Sequence, residues 1–187
     1  MTSWDADGST PRVATTRDAD DVADLLDAFN TEFDTPTPGA AVLAPRVAQL
    51  LAEGQVVALL AGRPPVGLAV LTLRPNVWYD GPVALLDELY VAPERRGQGL
   101  GTLLLTHAER VARERGAELL EINVDGGDVD ARRFYERHGY SCTEPGQSEP
   151  SYYYVRDLVG PHSTVTQPTP SQAGRVVEDQ PGRSRQR

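Results

Sequence analysis

Residues 95–101 are the part of this chain best suited to bind an anion. Their sequence, RRGQGLG, places three glycines and two arginines directly before an amphipathic helix. Successive small residues before a helix let several backbone N–H groups converge on one point, where the helix dipole also favours negative charge. The segment therefore predicts a phosphate-binding loop, and the elements around it must show which phosphate compound is bound.

Two candidate ligands conflict with the surrounding sequence. A Walker loop ends in Gly-Lys-Ser or Gly-Lys-Thr, whereas GLGT offers no lysine for a terminal phosphate. For a dinucleotide, Asp125 ends the next predicted strand where a ribose-binding acid would stand, but the glycine spacing is GxGxG and APERR separates the loop from its strand. Too little chain follows Asp125 for the further strand-helix units of such a sheet. The surrounding sequence therefore disfavours both ATP and a dinucleotide.

The segment LDELYVAPERRGQGLG, followed by a helix, a strand and DVDARRFYERHGY, resembles the GNAT superfamily of N-acetyltransferases, which transfer an acetyl group from acetyl-coenzyme A to an amine. The resemblance covers most of residues 12–158. Arg96, Gly99 and Gly101 fit the family's R/QxxGxG/A loop, and AxxFYxxxGY fits a second family motif. Asp128 stands where the family more often has asparagine, but both residues cap helices well.

The resemblance implies a binding site for acetyl-coenzyme A. Amides of residues 97–102 would hold the pyrophosphate, and backbone groups near Leu89 and Val91 would hydrogen-bond the pantetheine arm. Pantetheine carries amides that can pair with a strand edge, and phosphates suit a helix start. The predicted cofactor-binding residues are Leu89, Tyr90, Val91, Arg95, Arg96, Gly97, Gln98, Gly99, Leu100, Gly101, Thr102, Asp128 and Arg132.

An acid on the strand before the loop is the candidate base. Deprotonating a lysine-like amine at pH 7 costs roughly 4–5 kcal/mol, whereas a peptide α-amine costs about 1 kcal/mol. Asp87 and Glu88 lie on the strand that resembles the family's active-site strand, and alternation should let at most one face the site directly. We favour Glu88, acting through a water or binding a cationic acceptor. The alternative is that either acid is merely solvated or paired.

Tyr135 is the candidate proton donor to the leaving thiolate. In the family, a tyrosine at this place in FYxxxGY lies beside the sulfur, and a phenol of pKa about 10 stays protonated at neutral pH. The alternative is that Phe134 and Tyr135 both serve core packing. A backbone N–H near Val91 would stabilise the oxyanion. Because no suitably placed Cys or Ser is evident, we expect direct transfer in a ternary complex.

The composition argues against several other classes of protein. A net charge of -9 over 187 residues does not suit nucleic-acid binding. No apolar run is long enough to cross a membrane and no signal peptide is evident, so we expect a cytoplasmic protein. The single cysteine, Cys142, is expected to be a buried small hydrophobe. Packing and capping are expected of His107 and His138, and three scattered histidines predict no metal site.

The hydrophobic pattern predicts an α/β fold of the α+β type: a mixed, largely antiparallel sheet of about six or seven strands flanked by about four helices. We expect disordered tails at residues 1–11 and 159–187 around one domain at 12–158. The expected strands are RVATT, QVVALLAG, PPVGLAVLTLR, VALLDELYV, AELLEINV and SYYYVRDL. The second and third should form a hairpin, and the fourth and fifth should flank a helix.

Four helices are predicted between these strands. The first, DADDVADLLDAFNTEF, can be capped by Asp18 or Asp20, and the second, APRVAQLLAEG, has Pro45 at its first position and Gly54 as its C-terminal cap. The third, GTLLLTHAERVARERG, is expected to stop at Gly116, and the fourth is ARRFYERHG. The expected inner face of the third helix consists of Leu103, Leu104, His107, Ala108 and Val111.

The acceptor is the least determined part of the prediction. In the family, the first helices and the loop before the active-site strand shape the acceptor pocket, here NTEFDTPTPG and RPNVWYDGP. The acids Glu32, Asp34 and Asp80 favour a cationic acceptor such as a polyamine, an aminoglycoside or a basic peptide. Trp78 and Tyr79 could line the pocket, cover the core or mediate contacts of a homodimer. The non-enzyme alternative is an acyl-coenzyme A sensor, and Tyr135 with an acid on the active-site strand favours the enzyme.

Overall fold

A computed structural model describes residues 10–144, 146–156 and 158. The predicted tails at residues 1–11 and 159–187 therefore lie outside the described residues, apart from Thr10 and Pro11.

One mixed sheet forms the centre of the molecule, with its strands in chain order. The strands are β1 Arg12–Val13, β2 Val56–Ala61, β3 Gly67–Arg74, β4 Val83–Val91 and β5 Leu119–Ile122. The pairs β1–β2, β2–β3 and β3–β4 are antiparallel, whereas β5 is parallel to β4. The hairpin of β2 and β3 and the parallel unit around the third helix are as predicted.

Four α-helices of the described residues cover the two faces of this sheet, in agreement with the predicted number. They are α1 Ala19–Glu32, α2 Ala40–Ala52, α3 Leu100–Glu114 and α4 Val129–Arg137. One apolar cluster joins the sheet to α3 and α4, and a second joins it to α1 and α2; we call these the α3 face and the α1 face. Because helices lie on both faces, β2 is a nearly continuous apolar run rather than an alternating one.

The start of α2 differs from the prediction. Gly39, at a φ of +88°, precedes the helix, and its carbonyl accepts the amides of Val42 and Leu43 at 3.0 and 3.1 Å. Pro45 therefore lies inside the helix rather than at its first position. Because the left-handed backbone at Gly39 sets the entry into the helix, the favourable fit of proline to a first turn does not locate the start.

The buried face of α3 is also offset from the prediction. Its buried residues are Leu100, Leu104, Leu105, Ala108, Val111 and Ala112, whereas Leu103 and His107 are only partly buried. The side chain of His107 contacts the backbone of its own helix, with Nδ1 at 3.0 Å from the carbonyl of Leu103. Gly116, at a φ of +82°, ends the helix as predicted.

The tyrosine-rich segment does not form a strand in the part of the chain that the structure describes. Tyr152, Tyr153 and Tyr154 are 71%, 59% and 88% exposed. The Ser151 amide bonds to the carbonyl of Cys142 at 2.8 Å, but one such bond does not make a ladder. The described sheet accordingly has five strands rather than six or seven. Cys142 is exposed, so its predicted burial is wrong, because no strand begins there to bury it.

Candidate active site

A β-bulge in β4 positions the two candidate acids. Val70 of β3 lies opposite Glu88, but the next residue, Leu71, lies opposite Leu86, so Asp87 is an extra residue in β4. Leu86 and Leu89 pack on the same α3 face although three positions separate them, which an unbroken strand would not allow. A bulge redirects side chains, so the expected strict alternation of the two acids does not hold here.

Both acids carry a buried oxygen without a hydrogen-bond partner, Oδ2 of Asp87 and Oε2 of Glu88. Burial raises the pKa of Asp87, and hydrogen bonds from Thr72 partly oppose this rise. Burial raises the pKa of Glu88 to about 8, and the neighbouring Asp87 charge adds to the effect. Near neutral pH, Glu88 can therefore both take up and release a proton.

Tyr135 lies on α4 and belongs to the apolar cluster of the α3 face, together with Leu86 and Leu89 of β4. It is only 3% exposed, and its hydroxyl has no hydrogen-bond partner among the described residues. Burial raises the pKa of Tyr135 above its usual value, and Tyr140, Asp128 and Glu88 raise it further. The phenol is therefore neutral throughout the physiological range and can act as a proton donor.

Asp87, Glu88 and Tyr135 each have a buried oxygen that lacks a hydrogen-bond partner. Among the residues that the structure describes, the buried side-chain polar atoms without a partner are those of Asp87, Glu88 and Tyr135. A buried polar atom without a partner costs about 1–3 kcal/mol, so natural folds rarely tolerate one without a reason. Three of them at the positions that sequence analysis selects for catalysis indicate a site that a ligand completes.

The loop before α3 presents a row of unused amides. Gly97 and Gly99 have φ angles of +67° and +80°. Among the hydrogen bonds of the described residues, none has a backbone amide of residues 97–102 as donor. The first amides of any helix lack intrahelical partners, but here the amides of the loop join them. We call the backbone amides of residues 97–102 the amide cradle. A Cβ on Gly99 would meet no protein atom within 4 Å, so the space beside the cradle is open.

The second half of β4 has an open edge beside the cradle. β5 pairs with residues 83–86 of β4 and then ends, whereas β3 follows β4 as far as Val91. The Ala92 amide donates to Val66 on the β3 side at 2.8 Å. Because neighbouring residues of an antiparallel ladder point to opposite edges, Leu89 and Val91 direct their backbone groups to the open edge. A ligand with amide groups could pair there in place of a strand.

The Arg96 side chain is engaged inside the protein rather than pointing into the cradle. Its Nε donates to the carbonyl of Val91 at 2.8 Å, and its two terminal nitrogens donate to Glu32 at 2.7 Å each. Tyr90 likewise turns away from the cradle, because its ring stacks on Phe29 on the α1 face, with the centroids 5.2 Å apart. These two residues can contact a bound cofactor through their backbones.

The remaining predicted cofactor-binding residues lie in different environments. Asp128 caps α4 by accepting the Ala131 amide at 2.9 Å, as its residue type predicts. Arg132 is exposed, with Nη1 at 3.3 Å from the carbonyl of Gly126. Gln98 is exposed and Arg95 is half-buried, whereas Leu100 is buried in the core on the α3 face.

Sequence analysis missed the contact between the two helices at this site. The Thr102 hydroxyl lies 3.1 Å from Nε2 of His138, whose Nδ1 lies 2.7 Å from the carbonyl of Phe134. A carbonyl only accepts, so Nδ1 carries a proton, and in the neutral imidazole Nε2 accepts from Thr102. The spacing of four residues between Phe134 and His138 was the available signal, but nothing in the sequence pairs His138 with Thr102.

The loop between β3 and β4 exposes its aromatic residues. Trp78 is 87% exposed and Tyr79 is 41% exposed, so covering the core is excluded for Trp78. Asn76 holds the loop by accepting the amides of both residues at 2.8 and 2.9 Å. The two other predicted roles of Trp78 are contact with an acceptor and contact with a second copy of the chain. No group of three metal-binding side chains occurs among the described residues, nor does any described helix reach the length and hydrophobicity of a membrane span.

Comparisons with known proteins agree on one family. A model described as the Acetyltransferase (GNAT) family matches residues 20–140. The aminoalkylphosphonate N-acetyltransferase of Salmonella typhimurium is 35% identical over 136 residues, covering 69% of this chain and 82% of that protein. The mycothiol acetyltransferase of Beutenbergia cavernae is 36% identical over 72 residues, covering 37% of this chain and 24% of that protein.

A solved structure is also similar to this chain. The crystal structure of a proposed acetyltransferase from Arthrobacter sp. FB24 is 61% identical in sequence, with a TM-score of 0.75. The match covers 79% of this chain and 95% of that chain. The element order and the loop before α3 thus lie within a region of high similarity to a known fold.

Proposed function

This chain belongs to the acetyltransferase (GNAT) family and is an N-acetyltransferase, and on this premise we propose that it passes the acetyl group of acetyl-coenzyme A directly to a primary amine. The observation that carries the proposal is that the buried side-chain oxygens without a hydrogen-bond partner among the described residues belong to Asp87, Glu88 and Tyr135. A bound thioester and amine would give these atoms their missing partners.

The fit of the cradle to acetyl-coenzyme A supports this compound as the acetyl donor. The amides of residues 97–102 are unused and match the needs of a diphosphate. The open edge of β4 at Leu89 and Val91 suits the two amides of pantetheine. Because Arg96 already holds the Val91 carbonyl, the Val91 amide and the backbone of Leu89 are the groups left for the ligand.

The side chains can then divide the proton transfers. Acetyl-coenzyme A supplies an activated acetyl thioester. Glu88 accepts the proton of the attacking amine, directly or through a water, since its pKa of about 8 suits a base near neutral pH. Tyr135 donates its hydroxyl proton toward the departing sulfur, and the Val91 amide stabilises charge on the carbonyl oxygen. Asp87 raises the basicity of Glu88 and is the alternative base.

Two acceptor classes are supported by different observations. The negative charge of the chain favours a small cationic amine or a basic peptide amine. The similarity to an aminoalkylphosphonate N-acetyltransferase favours an amine that also carries a phosphonate. Both classes present the primary amine that the proposed chemistry requires.

A thiol-release assay with acetyl-coenzyme A tests the function and the acceptor together. The amine panel contains a polyamine, an aminoglycoside, a basic peptide with a free α-amine, and 2-aminoethylphosphonate. We expect turnover with at least one class, and mass spectrometry of that product should show one added acetyl group on nitrogen. Tight binding of coenzyme A without turnover on any amine would support the sensor instead and contradict the proposal.

A further inference from the structure

Glu32 occupies an unfavourable position at the end of α1. It is the last residue of the helix, and the last turn contains no basic residue. A carboxylate at the negative end of a helix dipole is disfavoured by about 0.3–1 kcal/mol unless something compensates for it. The compensation comes from outside the helix, because both oxygens of Glu32 accept hydrogen bonds from Arg96.

This ion pair differs from a solvent-exposed one. The side chain of Arg96 is 12% exposed and that of Glu32 is 25% exposed, whereas the partners in the Arg110–Glu114 pair on α3 are 52% and 57% exposed. The Arg96 contact is bidentate, which fixes the plane of the guanidinium as well as its position. A partly buried, bidentate pair holds its two elements together far better than a flexible surface pair.

Arg96 connects this pair to the open end of β4. Its Nε donates to the Val91 carbonyl at 2.8 Å, and its guanidinium carbon lies 5.8 Å from the centre of the Tyr90 ring. Arg96 also begins the glycine loop, directly before the amides of residues 97–102. The Arg96 side chain therefore joins the end of α1 to the end of β4, from the position directly before the cradle.

We propose that Glu32 is a positioning residue for the acetyl-coenzyme A cradle and acts through Arg96. This inference rests on the proposed function of the cradle. Without Glu32, the guanidinium loses both of its carboxylate bonds, and its hold on the Val91 carbonyl weakens. The glycine loop then samples more conformations, and binding a diphosphate must order it first. Glu32 also precedes the loop at residues 33–39, so the donor and acceptor sides share this anchor.

Binding of coenzyme A to a set of matched variants tests this role. The variants are Glu32→Gln, Arg96→Gln, the double variant, and Glu114→Gln as a control that removes an exposed ion-pair carboxylate. By calorimetry we expect Glu32→Gln to weaken binding roughly tenfold, and Glu114→Gln to bind as the wild type does. The double variant should bind no more weakly than Arg96→Gln, because two residues that act through one contact are not additive.

Hydrogen exchange in the ligand-free protein gives an independent measurement. The amides of Arg95 and Arg96 bond to Ala92 and Pro93 at 2.9 and 3.3 Å, so their exchange rates report order in the loop. We expect faster exchange there in Glu32→Gln than in Glu114→Gln. Unchanged exchange would overturn the inference. If the wild type binds coenzyme A, unchanged affinity of Glu32→Gln or additive losses in the double variant would also overturn it. If the wild type fails to bind coenzyme A while exchange rises as expected, the proposed function fails and the anchoring role stands.

Discussion

Individual residues at the site are held in states that are unfavourable without a ligand. Glu88 is buried beside a second acid, and its pKa is raised to about 8. Tyr135 is buried with a hydroxyl that bonds to nothing among the described residues. The folded protein keeps these groups because packing of the surrounding core outweighs the cost of about 1–3 kcal/mol for each unpartnered atom. Their chemistry can be tested by removing single atoms.

Replacing Tyr135 with phenylalanine should lower turnover by about a hundredfold, because a positioned proton donor contributes at least that much. Binding of coenzyme A should change little, since the hydroxyl forms no hydrogen bond with a described residue of the ligand-free protein. Steady-state kinetics and calorimetry measure the two effects. Tyr140→Phe is the matched control for loss of a neighbouring hydroxyl, because its ring lies 5.8 Å from that of Tyr135 but its hydroxyl bonds to Glu109 at 3.1 Å. Equal turnover of Tyr135→Phe and Tyr140→Phe would remove Tyr135 from the mechanism.

The pH profile should distinguish the two acids. With Glu88 as the base, kcat/KM in the wild type should rise up to about pH 8, because deprotonation of Glu88 follows its raised pKa. Glu88→Gln should lower the plateau by about a hundredfold and abolish this inflection, whereas Asp87→Asn should keep it at a lower pH. The lower pH follows because Asp87 contributes to the raised pKa of Glu88. An inflection that survives in Glu88→Gln and disappears in Asp87→Asn would assign the base to Asp87.

At the scale of elements, the site is the junction between the end of β4 and the start of α3. β5 leaves β4 after Leu86, and this separation exposes the edge at Leu89 and Val91. The short turn Pro93–Arg95 then brings the chain to Gly99, whose left-handed backbone directs the amides outward before the helix begins. A strand edge and a helix start thus lie in one continuous segment and can serve one elongated ligand.

Substitution of Gly99 tests the junction. Alanine at a φ of +80° is strained by about 1 kcal/mol, but its methyl group would meet no protein atom within 4 Å. The methyl would stand beside the unused amides, so we expect roughly tenfold weaker binding of coenzyme A, which corresponds to 1.4 kcal/mol. Gly116→Ala is the matched control, because Gly116 has a φ of +82° at the other end of the same helix. Equal affinity of the two variants in calorimetry would show that the cradle does not approach Gly99.

At the scale of the whole molecule, the two-faced sheet sets the environment of the acids. Helices on both faces exclude water from β4, and burial is the largest cause of the raised pKa of Glu88. In the unfolded chain this carboxyl group has its ordinary pKa of 4.5. Between pH 4.5 and about 8 the unfolded state loses the proton while the folded state keeps it, so rising pH disfavours folding through this group.

Global stability should therefore respond to pH through Glu88. The free energy of unfolding of Glu88→Gln relative to the wild type should increase from pH 5 to pH 8 by about 3–4 kcal/mol, because glutamine cannot ionise. Urea unfolding of the ligand-free proteins at the two pH values measures the difference. Glu121→Gln, which alters an exposed carboxylate paired with Arg74, should show no such trend. A flat difference for Glu88→Gln would mean that Glu88 is solvated in the folded protein.

Local sequence patterns determined most of the elements. β4 was predicted at its observed bounds because VALLDELYV is an apolar run between turn-forming segments. The glycine loop and the capping role of Asp128 were also predictable, because each depends on a few neighbouring residues. The observed start of α2 differs from the prediction because the left-handed backbone of Gly39 sets the entry into the helix. The observed inner face of α3 differs because packing on the sheet outweighs local preference.

The sequence by itself determined the family, the order of the elements and the residue types available for proton transfer. Only the tertiary structure decided that Asp87 is a bulge residue, that Arg96 turns inward to Glu32, and that the pKa of Glu88 is raised to about 8. The physical reason is the distance along the sequence between the interacting residues. Turns and caps depend on neighbours within a few positions, whereas strand register, burial and ion pairing depend on residues brought together by the fold.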